Sequence, residues 1–274
     1  MVDYNNIKAI RSSELDAAML GVDYVEALRL ENKTSDAMSF GTMFHTYYLE
    51  HDKFGSLYVN EPPEIRIKDE KGKEFQWKIG DNRTNKAYKL WKAKQNREIY
   101  KYEDFQRILT MRLSIDANPW VQENIKLYGS KTQIEMPRLF EIDGVQCKAK
   151  PDYLDDKICV DLKTIDVKNK YGELRGLTEE RIRWEIRQRK YIRQQAFYRM
   201  SGINTREMYL LFVESKPPHN TMVVHLDRDD LDEQEEAIRD ILKRYLEFSL
   251  GCERQTFMSS RFDNQNYDEG EVTL

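Results

Sequence analysis

The stretch that decides the fold is Val145-Gln-Cys-Lys-Ala-Lys-Pro-Asp-Tyr-Leu154, then Asp155-Asp-Lys157, then Ile158-Cys-Val-Asp-Leu-Lys-Thr-Ile165. Two apolar segments flank a short turn signal, and the second alternates apolar and polar residues as a strand does. Strands joined by so short a turn predict an antiparallel hairpin. Side chains alternate faces along a strand, so Asp161 and Lys163 project from one face and Val160 and Leu162 from the other. Asp152, near the end of the first strand, can then converge with Asp161 on one divalent cation. Hard carboxylate oxygens of this kind suit Mg2+ or Mn2+. A lysine beside them can polarise a phosphate or help activate a water, as metal-assisted phosphodiester hydrolysis requires.

Outward from the hairpin, the pattern predicts a mixed α/β domain. Residues 13–30 read as a helix with Ser13 at its N-cap. A second helix starts near Ser35 and runs to Glu50, because Phe44, Tyr47, Tyr48 and Leu49 recur at helical spacing. Residues 60–80 are polar, contain Pro62-Pro63 and two glycines, and read as an exposed loop. Helical patterns follow at 83–97, 102–116 and 119–127, and strands fill 131–165. A polar loop spans 166–176, a helix 178–200, and strands 206–214 and 221–226. The closing helix, 228–248, is acidic in its first turns, as the helix dipole favours. Helices, then a sheet with a crossover helix, then strands and a last helix describe one domain over 1–258: a helical part, 10–127, and a sheet with its helices, 128–250. The tail 259–274 is polar and expected to be mobile.

Composition narrows the class. The chain has 274 residues, 34% of them charged, with apolar residues spread throughout, which is globular rather than disordered. It has no run of 18 apolar residues and no secretory h-region at its start, so the expectation is a cytoplasmic protein with no membrane partner. Three cysteines, Cys147, Cys159 and Cys252, cannot form a closed disulfide set or a four-cysteine cluster. The net charge of −4 gives no global attraction to nucleic acid, so any such binding must be local.

Four further features bear on the hairpin. Glu135 lies in the alternating segment Thr132-Gln-Ile-Glu-Met-Pro137, which should pair with it. His45 sits in Gly41-Thr-Met-Phe-His-Thr46, inside the second helix. Gln194 and Tyr198, four apart, share a helix face. The same helix is rich in arginine, and Arg183, Arg187, Lys190, Gln194 and Tyr198 fall in a single stripe at 100° per residue. A basic stripe leading to a Gln/Tyr pair suits a phosphate backbone approaching a metal site.

The order His45, Glu135, Pro151-Asp152, Asp161-x-Lys163, Gln194-x-x-x-Tyr198 resembles the PD-(D/E)xK nuclease superfamily, whose core is restriction-endonuclease-like: a central mixed β-sheet flanked by helices. Within it the pattern is closest to the RecE (exonuclease VIII)-like branch, related to RecB-type nuclease domains and phage lambda exonuclease. The stretches that carry it are Phe40-Gly-Thr-Met-Phe-His-Thr-Tyr-Tyr-Leu-Glu50, Gly144-Val-Gln-Cys-Lys-Ala-Lys-Pro-Asp-Tyr-Leu154 and Tyr191-Ile-Arg-Gln-Gln-Ala-Phe-Tyr198. The resemblance spans roughly residues 10–250. It implies a Mg2+-dependent 5′→3′ exonuclease on double-stranded DNA ends, assembled as a ring (trimer or tetramer) and working with a single-strand annealing protein. It also implies Asp152, Asp161 and the Leu162 carbonyl as metal ligands. Glu135 would hold a second metal or its water, with His45 beside the metal site. Lys163 would orient the attacking water, and Gln194 and Tyr198 would brace the lysine or contact phosphate. One departure is Asp161, where Glu is commoner.

Singly, each residue has an ordinary structural reading. Asp152 could be a turn aspartate, Asp161 and Lys163 an exposed ion pair, His45 a helix-face histidine, and the basic helix a solvated face. Jointly these readings require six residue types to fall in family order by accident. An endonuclease on the same scaffold and a non-catalytic DNA-binding or assembly protein are the competing functions. No glycine-rich phosphate loop is present, so ATP-driven chemistry is not built into the chain.

Overall fold

The computed structural model describes residues 4, 7–31, 36–168, 172–203 and 207–251. The expected tail 259–274, Cys252 and the helix start at Ser35 lie outside the described residues. The chain opens with a 3-10 turn, Ser12–Glu14, and helices α1 (Leu15–Leu20) and α2 (Val22–Leu30). These replace the single helix expected over 13–30: Gly21 takes φ 123°, open to glycine alone, and Ser13 lies inside the turn rather than at a cap. Then come α3 (Asp36–Leu49), carrying His45, and α4 (His51–Leu57).

The polar run 60–80 is not a loop. The chain forms β1 (Tyr58–Asn60), the hairpin β2 (Glu64–Lys68) and β3 (Glu74–Lys78), α5 (Lys86–Lys92) and β4 (Glu98–Tyr100). Charges at every second position mask a strand period in which Ile65 and Trp77 point inward onto Ala87 and Tyr88. Asp69 closes the hairpin, its carboxylate accepting from the Lys71 and Lys73 amides at 3.0 Å each. Helix α5 is shorter than the expected 83–97, starting at the Asn85 cap.

Helix α6 (Tyr102–Asp116) occupies its expected span, and α7 (Pro119–Asn124) begins with Asn118 as cap and Pro119 at the first position. The strands follow as β5 (Gln133–Ile134), β6 (Arg138–Ile142), β7 (Val145–Ala149), β8 (Tyr153–Leu154) and β9 (Ile158–Ile165). The segment 145–154, expected as one strand, is two: β7 pairs with β6, and β8 pairs with β9 and β5. Pro151 lacks an N–H and interrupts the ladder, which leaves Asp152 in the link directly before β8 instead of near the end of one continuous strand. The hairpin itself forms as β8–β9, its turn held by Asp155, whose carboxylate accepts from the Lys157 and Ile158 amides at 2.8 and 2.9 Å.

The helix expected over 178–200 is α8 (Glu179–Gln188) and α9 (Tyr191–Arg199), broken at Lys190, which takes the left-handed φ of 55°. The chain closes with β10 (Glu207–Glu214), β11 (Thr221–His225) and α10 (Arg228–Ser249). The central sheet has the order β11-β10-β9-β8-β5, mixed because β9 and β10 run parallel while the other pairs are antiparallel.

Both faces of β9 are covered, which explains its nearly continuous burial. Val160 and Leu162 pack with Phe44 and Tyr48 of α3 and Ile108, Met111 and Ile115 of α6. Cys159 and Ile165 face the other way, onto Ala196 and Phe197 of α9 and Ile238 and Leu242 of α10. No helix among the described residues is long and apolar enough to cross a membrane.

Candidate active site

The acidic residues of the site sit where β9 meets the Lys150–Asp152 link. Asp161 is 1% exposed on β9, and Asp152 is buried beside it. The Leu162 N–H donates to Asp152 Oδ2 at 2.7 Å, which fixes that carboxylate against the strand. Glu135, directly after β5, is set by its own amide, which donates to the Asp152 carbonyl at 3.1 Å. Glu135 adopts φ 48°, a left-handed conformation costly for a residue with a Cβ and a common mark of a functional position. His45 reaches the group from α3. Gly41, one turn earlier, lies so near β9 that a Cβ there would stand 3.4 Å from Thr164 Oγ1.

His45 Nδ1 stands 3.5 Å from Asp152 Oδ2 and 4.0 Å from Glu135 Oε1. One ligand atom from each of His45, Glu135 and Asp152 lies within 4.8 Å of the others. Asp161 is not in that trio, and its carboxylate is ion-paired with Lys163. Glu135 is ion-paired with Lys150 in the same way. Three carboxylates with two lysines and one imidazole make a site whose negative charge needs cations around it. Two hard carboxylates and an imidazole within one ligand-sized space fit a divalent metal ion.

Electrostatics follow from this crowding. Burial, then the neighbouring charges of Asp161 and Glu135, push the Asp152 carboxyl up to about 7, against the opposing pull of His45 and Lys163. Burial would lower the His45 imidazole, but Asp152, Glu135 and Asp161 outweigh it and hold its pKa above the usual value. Burial raises Glu135, yet His45 and Lys150 bring it below the ordinary carboxylate range. Lys163 is likewise desolvated, and Asp161 and Asp152 more than compensate, so its ammonium stays charged.

A second line of groups holds Lys163. Its Nζ donates to Gln194 Oε1 at 2.9 Å and lies 4.4 Å from the centre of the Tyr191 ring, a cation–π contact. Gln194 Nε2 in turn donates to the Tyr198 hydroxyl at 2.7 Å. Because an ammonium only donates, the Gln194 amide has one sensible orientation here. Burial, followed by Asp161 and Asp152, raises the Tyr198 phenol well above its usual value and keeps it protonated.

The structure therefore brings His45, Glu135, Asp152, Asp161, Lys163, Gln194 and Tyr198 together around β9. The basic stripe is not continuous: the break at Lys190 separates Arg183 and Arg187, exposed on α8, from the Gln194–Tyr198 pair. Arg183 donates to Glu179 at 2.6 Å, and Lys190, with Arg193, pairs with Asp16 at 2.7 and 2.9 Å. Two residues escaped the sequence reading. Lys150 immediately precedes Pro151-Asp152, and Tyr191 stands three before Gln194 and seven before Tyr198, a helical spacing that marks it as a neighbour.

A mixed sheet flanked by helices, with an acidic cluster and a lysine at its central strand, defines a restriction-endonuclease-like protein. The chain belongs to the family described as "PDDEXK-like domain of unknown function (DUF3799)", whose profile matches residues 7–255. Its fold is similar to the crystal structure of a protein from Eubacterium rectale named "Putative exonuclease", with a TM-score of 0.58 and 15% sequence identity. That match covers 93% of this chain and 88% of the other. At this identity the likeness speaks for the fold. No curated protein matches the chain in sequence.

Proposed function

We propose that this protein is a metal-dependent deoxyribonuclease acting as an exonuclease on double-stranded DNA ends. The observation that carries the reading is the convergence of His45, Glu135 and Asp152 within 4.8 Å, beside the Asp161–Lys163 pair on β9. His45, Glu135 and Asp152 would hold the cation, with Asp161 and the Leu162 carbonyl as further ligands once Lys163 releases the Asp161 carboxylate. Mg2+ is the expected ion, with Mn2+ able to replace it. A cation held there supplies Lewis-acid polarisation of the phosphodiester and neutralises charge that develops on it.

The chain's own groups do the positioning. Lys163, held charged, can donate to an attacking water or to a phosphate oxygen, but it cannot take a proton while it stays an ammonium. Gln194 and Tyr198 hold it at a fixed place, and Tyr191 covers one side of it. Arg183 and Arg187 on α8, with Lys190 after it, are the candidate contacts to the DNA backbone, while Gln194 and Tyr198 act through Lys163.

The finer reading is 5′→3′ digestion leaving 3′ overhangs for recombination by strand annealing, in the manner of a RecE-like enzyme. It includes a ring of three or four copies, an annealing partner and a cytoplasmic location. The order of the motifs supports it. The test is digestion of a linear duplex labelled at the 5′ or the 3′ end, with Mg2+ and with EDTA, beside a covalently closed circle. Mononucleotide release from the 5′ end with the circle intact supports the exonuclease. Nicking of the circle would favour an endonuclease, and DNA binding without metal-dependent cleavage a non-catalytic binding protein. A monomer by light scattering would count against the ring.

A further inference from the structure

Residues 58–101 form a module inserted between α4 and α6. The parallel pairing of β1 with β4 (Tyr58↔Glu98, Asn60↔Tyr100) closes its neck. It has a small core of its own, Ile65, Trp77, Ala87 and Tyr88, with Ile67, Phe75 and Trp91 packed against it. The stretch holds twelve Lys and Arg against seven Asp and Glu, a surplus of five positive charges in a chain whose total is −4. The rest of the chain is therefore distinctly acidic, and a polyanion gains attraction chiefly here.

These charges are not spread evenly. A cleft of ≈ 450 Å3 is lined by Arg83, Thr84, Tyr88, Lys89, Lys92, Ile99 and Lys101. Arg83 is committed: its guanidinium donates to both oxygens of Glu61, at 2.6 and 2.7 Å, and Glu61 is fully buried. That bidentate pair fixes one wall, and the buried Tyr88 hydroxyl is engaged by the same Glu61. Lys89, Lys92 and Lys101 have no carboxylate partner among the described residues. Lys89 and Lys92 are three apart on α5 and so lie on neighbouring turns, a like-charge spacing that costs stability unless an anion relieves it. All three lysines are exposed. With Arg83 and Tyr88 both turned to Glu61, the cleft keeps little with which to select a base or a small ligand. Exposed, unpartnered cations without a selective pocket are the chemistry of sequence-independent phosphate contact.

We propose that this module is a second DNA-binding surface. It grips the sugar–phosphate backbone of the duplex through Lys89, Lys92 and Lys101, separately from the carboxylate site. The assignment rests on the reading of the protein as a nuclease. It supplies that reading with a positive surface that offsets the net negative charge of the remainder of the chain.

The test is duplex binding across a salt series, in EDTA so that no cleavage occurs, by the full chain and by Lys89→Ala/Lys92→Ala/Lys101→Ala. The side chains are exposed, so the variant should keep the wild-type Tm and bind Mn2+ with unchanged affinity by calorimetry. Its duplex affinity should fall roughly tenfold or more at low salt, and the slope of log affinity against log salt should flatten by about 0.9 for each phosphate that is no longer neutralised. Unchanged affinity and slope in a folded variant, while the wild type still cuts DNA, would overturn the module's role and leave the nuclease reading standing. A wild type that neither binds nor cuts DNA would overturn both. Preferential loss of RNA binding would overturn the assignment to DNA.

Discussion

Lys163 and Gln194 stand 31 positions apart in sequence, yet the lysine ammonium donates to the glutamine side-chain oxygen at 2.9 Å. That bond couples β9 to α9 and gives Gln194 a positioning role rather than a direct one. Gln194→Ala should lower the turnover rate by about 10–100-fold, as losing a partner that orients an active-site group does, while leaving duplex affinity nearly unchanged. Single-turnover cleavage beside equilibrium binding checks this. A loss confined to affinity would make Gln194 a DNA contact instead.

Asp152, with His45, sets the pH dependence of metal binding. Its carboxyl, raised to about 7 by burial and by Asp161 and Glu135, must lose its proton before it can ligate. Metal affinity should rise with pH through about 7, by roughly tenfold per unit for each proton displaced, and level off only once His45, whose pKa is also raised, has lost its proton as well. The same raised value means that the metal-free fold loses stability as pH rises from the ordinary carboxylate range through 7, so Asp152→Asn should stabilise the metal-free protein at pH 8. Calorimetric Mn2+ titrations at pH 6 and 8, with thermal melts of both proteins in EDTA, read the two effects. A pH-independent affinity would contradict the account of Asp152.

Glu14 is 1% exposed, and its carboxylate accepts from Arg29 at two points, 2.8 Å each, and from Arg11. Burial raises its pKa, but the Arg29 hydrogen bonds, with Arg11, outweigh this and hold it below the usual range. A depressed carboxyl stabilises the fold above the ordinary carboxylate pKa, and that contribution is lost as pH falls through the lowered value. Glu14→Ala leaves Arg29, itself partly buried, without its main partner and should cost about 2–3 kcal/mol by urea denaturation at pH 7. The difference from wild type should shrink in acid.

Trp77 is fully buried in the small core of the inserted module, and its indole N–H donates to the Asp81 carbonyl at 3.2 Å. Trp77→Ala should destabilise the module by about 3–5 kcal/mol. Because that core is separate from the ones flanking the sheet, hydrogen exchange should quicken over 64–92 and stay slow in β9 and β10. Uniform acceleration would show the module to be part of one cooperative unit.

The parts of the fold legible in the sequence were those where periodicity and burial agree. Helix α6 presents Ile108, Met111 and Ile115 at helical spacing, and β9 alternates between two covered faces. The hairpin of 64–78 was hidden because its inward residues, Ile65 and Trp77, stand among charges that read as loop. The breaks at Gly21 and Lys190 depend on single left-handed or extended backbone positions that no propensity of the flanking residues announces. In the site, the motif order named the residues that gather, but not their pairing. That Asp161 turns to Lys163, and Glu135 to Lys150, follows from burial, which makes an unpaired carboxylate costly.

Whether the Lys163 site cleaves DNA is read by comparing the wild type with Lys163→Ala on an end-labelled linear duplex, in Mg2+ and in EDTA. Mg2+-dependent release of label by the wild type is expected, abolished by EDTA, with a loss of about 100-fold or more in a variant that still folds and binds Mn2+. Equal cleavage by Lys163→Ala, or no metal-dependent cleavage by the wild type, would contradict that expectation.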